Sequence, residues 1–504
     1  MLDLNTYQRK QTKILVITLS LIIILGAFLR FYKIGKQSFW WDEALSYSFI
    51  KGGIKDIFNS IRSVGGNMTL FYLLAAAWTR IVSVINEGNL RILSAVFSIL
   101  SLPLTFITSK ELFNDSHKGT VCGIFATLIM AINTAEVHYA QEFRSYSLTT
   151  FLTLISTFVF IRIVKEQATK TPHLFLYVLF TALALYSHLY AALLIISHIL
   201  SLFFISPEIK KKPVFIKRLL ICYFTILLLS IPLIVLSIYT GKGELSWIAT
   251  PNINDLVELF YFLTGNYNFI ALSFYLLLTV IGILWGNEFF FKQTRSSQWY
   301  FIVLFICIIF PVLFSYIFSI TIKPIFNRRY FLMINPYLAM LIASGIASIL
   351  DFLFKLTKNS LLHKLAAVSF FLVLAILAYP GLHHYYTRYE KENWREASEI
   401  VATNCIQSLL IYYPENSTEA MQFYIPSWDP VPNIIIHNFV KAMPRKEYVP
   451  FPGTDNVDKV CFVISPIHVD NAKNVQLIRD AIQQDFPIKS ITELTGVTVE
   501  IYSR

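Results

Sequence analysis

The chain has 504 residues, of which 55% are hydrophobic and only 14% are charged. A soluble protein of this length would carry about a quarter charged residues, so the composition excludes an ordinary soluble protein. The formal net charge of +11 does not indicate nucleic-acid binding, because basic cytoplasmic loops beside anionic lipid account for it. The composition predicts a polytopic membrane protein that contacts membrane lipid and does not bind nucleic acid.

Apolar runs long enough to cross hydrocarbon as helices recur along the chain. The first run, from Ile14 to Phe31, follows Arg9, Lys10 and Lys13 and has no small-residue cleavage site after it. We interpret it as a retained signal anchor. The candidate segments cover residues 13–31, 70–86, 90–111, 118–135, 145–164, 173–187, 190–206, 219–239, 268–286, 298–320, 330–350 and 365–381.

The positive-inside rule decides how many of these segments cross the membrane. With a cytoplasmic N-terminus, crossing by every segment would place the basic loop at 207–218 outside. If segment 70–86 does not cross, that loop and the other basic connections fall inside. Segment 70–86 is also the most polar candidate, because it contains Thr79, Arg80 and Ser83. We therefore predict about 11 transmembrane helices and an interfacial helix within 70–86.

This topology places five polar segments outside the cytoplasm: 32–88, 136–144, 187–190, 241–255 and 323–330. After about residue 381 the long apolar runs stop. Helices predicted over 393–403 and 470–486 alternate with strands predicted over 408–413, 459–465 and 497–503. The expected architecture is an all-α membrane domain over residues 1–381 and a small extracytoplasmic α/β domain over 382–504. The sequence leaves open whether Cys405 and Cys461, both in this second domain, form a disulfide.

The first polar motif is the stretch FWWDEALSYS at residues 39–48. Asp42 and Glu43 stand directly after Trp40 and Trp41. A carboxylate at a helix start is often only a cap, and tryptophans near a membrane surface form an ordinary aromatic belt. The alternative is that one of the two carboxylates takes part in chemistry at the lipid surface.

The second motif is EVHYAQEFRSYSL at residues 136–148, which places Glu136, His138, Glu142 and Arg144 in a short outer turn. Charged groups at membrane depth are costly and indicate a function. The structural alternative is an interfacial ion pair between Glu142 and Arg144, in which the arginine extends its charge toward water.

The third set of polar residues lies in SHLY (187–190) and KPIFNRRY (323–330). His188 alone fits a hydrogen-bonded core histidine, and Arg328 and Arg329 alone fit membrane anchors. Cations are nevertheless unexpected outside the cytoplasm under the positive-inside rule. Arginines in that place favour a bound anion.

The order of these segments resembles a known family. SFWWDEALSYS is followed by NMTLFYLLAAAW, RILSAVFSIL, YAQEFRSYSL, LALYSHLYAALL, NRRYFLMINPYLAML and, after the last span, ENWREASEIV. This order resembles the bacterial relatives of the protein O-mannosyltransferases and the aminoarabinose transferases. These are membrane glycosyltransferases of the GT-C superfamily, which use polyprenyl-phosphate sugars. The resemblance covers residues 10 to about 400, and the acidic motif and YAQEFRSY are its most specific parts.

The resemblance implies that Asp42 is the catalytic acid of the first outer loop and that Glu142 is the acid of the second. It also implies that Arg328 and Arg329 hold the lipid phosphate. The family's eleven-span layout with an interfacial helix agrees with the count reached from charge. Many relatives have His-Pro-Pro-Leu-Tyr-Tyr where this chain has residues 67–72, so the role of Asn67 is open.

A sugar on a lipid phosphate leaves as an anion, so the reaction needs cations more than a general acid. The acceptor hydroxyl needs a base, for which we favour Asp42 beside its tryptophans. A single displacement predicts inversion, and we expect Glu142 to orient the substrate or bind a cation. The residues predicted to bind substrate are Glu43, Asn67, His138, Arg144, His188, Tyr190, Lys323, Arg328 and Arg329.

The predicted activity is a hexosyl or pentosyl transfer to a protein, a lipid or a polysaccharide. No cofactor is certain; the outer carboxylates with His138 could bind a divalent cation, but no ligand spacing indicates one. The rival functions are a transporter or flippase of lipid-linked sugars and a structural membrane protein. A transporter predicts paired halves and polar residues at the bilayer midplane, which the sequence does not show. The C-terminal domain is expected to influence acceptor choice and not the chemistry.

Overall fold

The computed structural model describes residues 2–504 except 114–116, 168–169, 206, 211, 241–246, 267, 291–294, 415–417, 427–456 and 467–471. The chain forms two compact units. The first contains Met1–Ile34, Ile54–Ile85 and Asn89–Tyr386, and the second contains Gly35–Gly53, Asn86–Gly88 and Thr387–Arg504. The stretch that carries Asp42 and Glu43 therefore belongs to the same unit as the C-terminal segment.

Helices dominate the described residues. In chain order they are α1 (Leu2–Phe31), α2 (Trp41–Ile50), α3 (Ile54–Ser63), α4 (Thr69–Thr79), α5 (Glu87–Leu112), α6 (His117–Ile132), α7 (Thr134–Ala140), α8 (Tyr146–Lys165), α9 (Thr171–Ser187), α10 (Ala191–Ser201), α11 (Pro207–Lys210), α12 (Pro213–Thr240), α13 (Ile253–Thr264), α14 (Phe269–Phe290), α15 (Arg295–Thr321), α16 (Asn335–Thr357), α17 (Ser360–Thr387), α18 (Trp394–Asn404), α19 (Thr418–Tyr424) and α20 (Ala472–Asp485). Short 3-10 helices cover Leu202–Phe204 and Arg328–Ile334.

Seven helices among the described residues are long and apolar enough to cross a membrane: α1, α5, α8, α12, α15, α16 and α17. Two bent pairs, α6 with α7 and α13 with α14, raise that number to nine. The multi-pass, mainly helical architecture is confirmed. Eleven spans stays a prediction, because it requires the shorter helices α9 and α10 to cross as well. Helix α4 has 11 residues, about 16 Å of helix, which is less than the thickness of the hydrocarbon core. Helix α10 is equally short, although a 3-10 helix extends it to Phe204, so the interfacial position of α4 also stays a prediction.

A buried arginine stabilises the break between α6 and α7, where the chain bends by 58°. A bend of this kind leaves carbonyl groups without partners inside the helix. Arg30 of α1 donates hydrogen bonds to the carbonyl oxygens of Met130 and Ala131 at 3.0 and 2.9 Å. It also donates to Ser98 Oγ at 2.7 Å. These contacts satisfy the guanidinium group and the carbonyls at the end of α6, directly before α7, which carries His138.

Close helix packing anchors α16, which begins directly after the 3-10 helix at Arg328–Ile334. A Cβ atom on Gly345 of α16 would lie 2.1 Å from the carbonyl oxygen of Leu278. A Cβ atom on Gly282 of α14 would lie 2.4 Å from the carbonyl oxygen of Leu341. Both positions therefore require glycine, and the small residues let the two backbones touch.

The second unit contains a four-stranded sheet with strands β1 (Leu409–Tyr413), β2 (Lys459–Ile464), β3 (Ile488–Leu494) and β4 (Val497–Ser503). The strand order is β1-β2-β4-β3; β1 and β2 are parallel, and the other two pairs are antiparallel. A core that includes Ile411, Phe462, Ile478, Ile482 and Tyr502 packs α20 against the sheet.

The small C-terminal α/β domain is confirmed, and three predicted strands and two predicted helices match β1, β2, β4, α18 and α20. Helix α19 and strand β3 were not predicted. Most side chains of β3 are exposed, so its sequence lacks the apolar alternation that signals a strand. Cys405 and Cys461 form a disulfide, which answers the question that the sequence left open.

Candidate active site

Helix α2 carries Asp42 and Glu43 in its first turn, and the two residues expose 7% and 0% of their surface. The start of this helix is capped by a different carboxylate. The backbone amide of Trp41 donates to Glu392 Oε2 at 3.1 Å, and the residue before the helix, Trp40, makes no side-chain capping bond. Glu392, in the C-terminal segment, therefore contributes a cap to α2 in addition to anything that Asp42 and Glu43 contribute.

Glu43 forms an ion pair inside the second unit. Its Oε2 accepts a hydrogen bond from Lys391 Nζ at 2.9 Å, and the two side chains expose 0% and 4%. A buried charge needs a partner of this kind, because removal from water is costly. The structure thus gives Glu43 a partner within the protein, and its predicted substrate contact stays a prediction. Lys391 is a residue that the sequence analysis missed.

In the first unit the structure brings the second and third sets of polar residues together. The rings of Tyr139, Tyr146, His188, Tyr190 and Tyr330 form one contiguous cluster. Ring centroids are 5.1 Å apart for Tyr139 and Tyr146, and 6.0 Å apart for Tyr146 and His188. The Tyr330 ring lies 4.8 Å from His188 and 4.9 Å from Tyr190. Three of these tyrosines were not among the predicted site residues, although each lies in or beside a quoted motif.

His188 lies in the turn between α9 and α10 and is buried. Its Nδ1 accepts a hydrogen bond from the backbone amide of Tyr190 at 3.2 Å, so the neutral ring carries its proton on Nε2. Burial, together with the positive charges of Arg144 and Arg329, lowers the pKa of His188 to about 3. Its Nε2 is buried and has no hydrogen-bond partner in the described part of the chain. The ring therefore offers a neutral donor to a ligand.

Two predicted substrate-binding residues hold the backbone around this histidine. The Oδ1 atom of Asn67 accepts a hydrogen bond from the amide of Leu189 at 3.2 Å. The hydroxyl of Tyr190 donates to the carbonyl oxygen of Ile325, in the loop that leads to the arginines. Asn67 and Tyr190 thus fix the turn and the loop of the site, whatever further contacts they make.

Glu142 is buried, with 1% of its surface exposed. Its Oε2 lies 3.6 Å from Nε2 of His138, which is longer than a hydrogen bond. Its Oε1 is buried and has no hydrogen-bond partner among the described residues. Buried polar atoms are normally satisfied, so this oxygen can accept a hydrogen bond from a ligand, and the predicted role of Glu142 stays a prediction. No group of three or more metal-ligating side chains occurs in the described ranges, and the divalent cation stays a prediction.

The predicted phosphate-binding arginines differ in their surroundings. The guanidinium carbon of Arg329 lies 5.0 Å from the centre of the Trp247 ring and 5.9 Å from that of Tyr330, in cation–π contact. Arg328 is exposed and lies 3.4 Å from the exposed carboxylate of Glu258. Arg329 is therefore the arginine that the aromatic cluster holds in place, and Trp247 is a further residue that the sequence analysis missed.

Several charged side chains lie close enough to the aromatic cluster to act electrostatically on its rings. The charges of Glu142, Arg328 and Arg329 all act on the hydroxyl of Tyr139, and Arg144 and Arg329 act on His188. Lys323 is partly exposed in the loop after α15. The first unit thus holds a buried carboxylate oxygen, a neutral imidazole donor and arginine charges around one set of aromatic rings, while Asp42 belongs to the second unit.

Several solved structures are similar to this chain. ArnT from Cupriavidus metallidurans bound to undecaprenyl phosphate is 11% identical over 96% of this chain and 97% of that chain, with a TM-score of 0.60. The apo state of the same ArnT is 10% identical over 98% of each chain, with a TM-score of 0.59. The archaeal oligosaccharyltransferase AglB from Archaeoglobus fulgidus, in complex with an inhibitory peptide and a dolichol-phosphate, is 11% identical over 97% of this chain and 74% of that chain, with a TM-score of 0.53.

No protein-family model and no curated protein sequence matches the chain significantly. The similarity to ArnT extends over nearly the whole length of both proteins, and both ArnT and AglB have the GT-C fold. The resemblance drawn from the order of the motifs is therefore confirmed at the level of fold. This chain has the GT-C fold, with a membrane part and a C-terminal sheet domain.

Proposed function

We propose that this chain is a membrane glycosyltransferase that moves a sugar from a polyprenyl-phosphate donor to an acceptor hydroxyl. The observation that carries the proposal is the set of unsatisfied or cationic groups around the aromatic cluster, in a chain with the GT-C fold. His188 Nε2 offers a neutral donor, and the charges of Arg144 and Arg329 act on the same ring. Such an arrangement suits a phosphate, and the ArnT structure to which the chain is similar holds undecaprenyl phosphate.

The reaction separates into two tasks for the side chains. Departure of the sugar leaves a negative charge on the lipid phosphate, which Arg329, supported by Arg328 and Lys323, would stabilise. The acceptor hydroxyl loses its proton to Asp42 as it attacks the anomeric carbon, and one displacement inverts that centre. The open Oε1 of Glu142 would accept a hydrogen bond from the sugar or coordinate a cation.

Topology forms part of the proposal. The chain is a multi-pass protein of the cell membrane. Its N-terminus and residue 210 lie in the cytoplasm, and residues 53 and 420 lie on the opposite side. The disulfide between Cys405 and Cys461 supports this orientation, since disulfides persist in oxidising compartments. Labelling of single cysteines in intact cells tests it. Reaction of position 210 with an impermeant reagent would overturn the orientation.

The activity is tested with purified protein and a panel of undecaprenyl-phosphate hexoses and pentoses. Release of undecaprenyl phosphate, and transfer of sugar to an added protein, lipid or polysaccharide, are measured for the wild-type chain and for D42N. Donor cleavage by the wild type that is lost in D42N supports the proposal. Tight binding of several donors with no cleavage of any, and movement of donor across a vesicle membrane, would favour a flippase instead.

A further inference from the structure

The residues that follow the last long apolar helix hold the helix that carries Asp42. Lys391 pairs with Glu43 at 2.9 Å, and Glu392 accepts a hydrogen bond from the amide of Trp41 at 3.1 Å. Both contacts lie within the second unit, on either side of Asp42 in sequence. Neither Lys391 nor Glu392 has a role in the proposed reaction.

These two contacts restrain different movements of α2. Adjacent side chains on a helix point about 100° apart, so a helix whose Glu43 is fixed has one direction left for Asp42. The ion pair therefore restrains the rotation of α2 about its own axis, together with the edge-to-face contact of Tyr47 with Phe423. The cap on Trp41 sets where the helix begins, because it binds the first amide of the helix.

Further contacts connect residues 390–392, and Tyr424 beyond them, to the loop before α2. The side-chain oxygen of Gln37 accepts hydrogen bonds from the amides of Glu390 and Lys391 at 3.1 and 3.0 Å. The amide of Phe39 donates to the hydroxyl of Tyr424 at 2.7 Å. The backbone of Lys391 is thus fixed by Gln37, and its side chain therefore has a defined position from which to bind Glu43.

We propose that Lys391 and Glu392 are positioning residues that aim the carboxylate of Asp42. The inference rests on the proposed function and extends it by assigning the direction of the base to the segment after the last membrane helix. It differs from the sequence-based expectation that residues 390–504 influence acceptor choice and not the chemistry, and the experiments below decide between the two. Correct aim matters because a displacement of about 1 Å in a reacting group costs about 10²-fold in rate.

The main experiment compares K391M, K391R and the charge swap E43K/K391E in the full-length chain. Cleavage of an undecaprenyl-phosphate sugar is measured as kcat and KM in folded, purified protein. K391M should lower kcat by about 10²-fold with little change in the donor KM. K391R should retain most activity, and the swap should regain part of the lost kcat, because both keep an ion pair at this place. If K391M does not accumulate, K391R and the swap carry the comparison.

The matched control is R479M, which breaks the ion pair between Arg479 and the buried Glu500 in the same unit. That pair joins α20 to β4, and the hydrogen bonds described for its two side chains do not involve α2. If R479M and K391M lose kcat equally, or if folded K391M turns over like the wild type, the positioning role is wrong. Failure of D42N to lower the rate would instead refute the role of Asp42, and the two failures are therefore distinct.

A second measurement does not depend on turnover. In D42C the introduced thiol is the reporter, because Cys122, Cys222 and Cys307 are buried and the other two cysteines form the disulfide. Its rate of alkylation by a water-soluble maleimide should change when K391M is added, return toward the starting value with K391R, and stay constant with R479M. An alkylation rate that is the same in all of these backgrounds would overturn the inference.

Discussion

Glu43 and Glu142 are both acids from the predicted site, and both are almost completely buried, but their surroundings differ. Glu43, in the second unit, has Lys391 Nζ at 2.9 Å. Glu142, in the first unit, lies 3.6 Å from Nε2 of His138 and keeps an oxygen with no hydrogen-bond partner among the described residues. The two acids are thus equally buried, but Glu43 has an ion-pair partner, whereas one oxygen of Glu142 lacks a hydrogen bond within the described residues.

The difference suggests a division between a structural acid and an acid that can contact a ligand. A buried ion pair is costly to break, because the remaining charge has no compensation. A buried oxygen without a partner lowers stability unless a ligand or cation satisfies it. Glu43 therefore contributes to the framework that holds α2, whereas a substrate contact of Glu142 stays a prediction that its open oxygen allows. The predictions below test this division, and they begin with the acid adjacent to Glu43.

The largest effect is expected at Asp42. D42N keeps the size of the side chain but cannot take a proton, so kcat should fall by about 10²–10⁴. E43Q should lower kcat much less, because the amide oxygen can still accept from Lys391. Turnover at saturating donor measures both. Normal turnover in D42N, with inactive E43Q or E142Q, would place the base elsewhere.

The next test compares stability with activity. E43A removes the carboxylate that pairs with the buried ammonium group of Lys391, so the free energy of unfolding should fall by about 3–5 kcal/mol. E142Q should leave stability unchanged or raise it, while donor turnover falls. Chemical unfolding of the purified chain and donor cleavage are measured side by side. If E43A is as stable as the wild type and E142Q is destabilised, Glu142 and not Glu43 is the structural acid.

Arg329 should affect donor binding. One charge-assisted contact contributes about 1.5–3 kcal/mol, so R329A should raise the donor KM by about 10- to 150-fold. R328A is the matched control and should have a smaller effect, because Arg328 is exposed and already lies beside Glu258. Unchanged donor affinity after loss of both arginines would show that they are membrane anchors.

The smallest effect concerns His188 and its pH dependence. Its pKa of about 3 lies below the ordinary value, so the ring stays neutral when the pH falls from 8 to 5. H188A should lower kcat/KM by about fivefold at every pH in that range, since one neutral hydrogen bond contributes about 1 kcal/mol. H188Q, which keeps a neutral donor, should recover part of the loss. An inflection near pH 6.5 that disappears in H188A would contradict this assignment.

The local elements were accessible from the sequence because their signals are local. Apolar runs predicted the long helices, and the loss of those runs near residue 382 predicted the sheet domain. The exposed strand β3 was missed because its side chains carry no apolar alternation. Arg30 was missed for a different reason: a lone arginine at the end of an apolar run resembles an anchor, and its partners lie about a hundred positions away in sequence.

The sequence by itself determined the membrane class, the order of the motifs and the identity of the acids, since these follow from composition and residue type. Only the tertiary structure decided which acid is satisfied. Glu43 and Lys391 are 348 positions apart, and no periodicity relates residues at that separation. The same holds for the tautomer of His188 and the cation–π contact of Arg329 with Trp247. Whether a buried polar atom is paired depends on neighbours that folding brings together, and local sequence does not encode those neighbours.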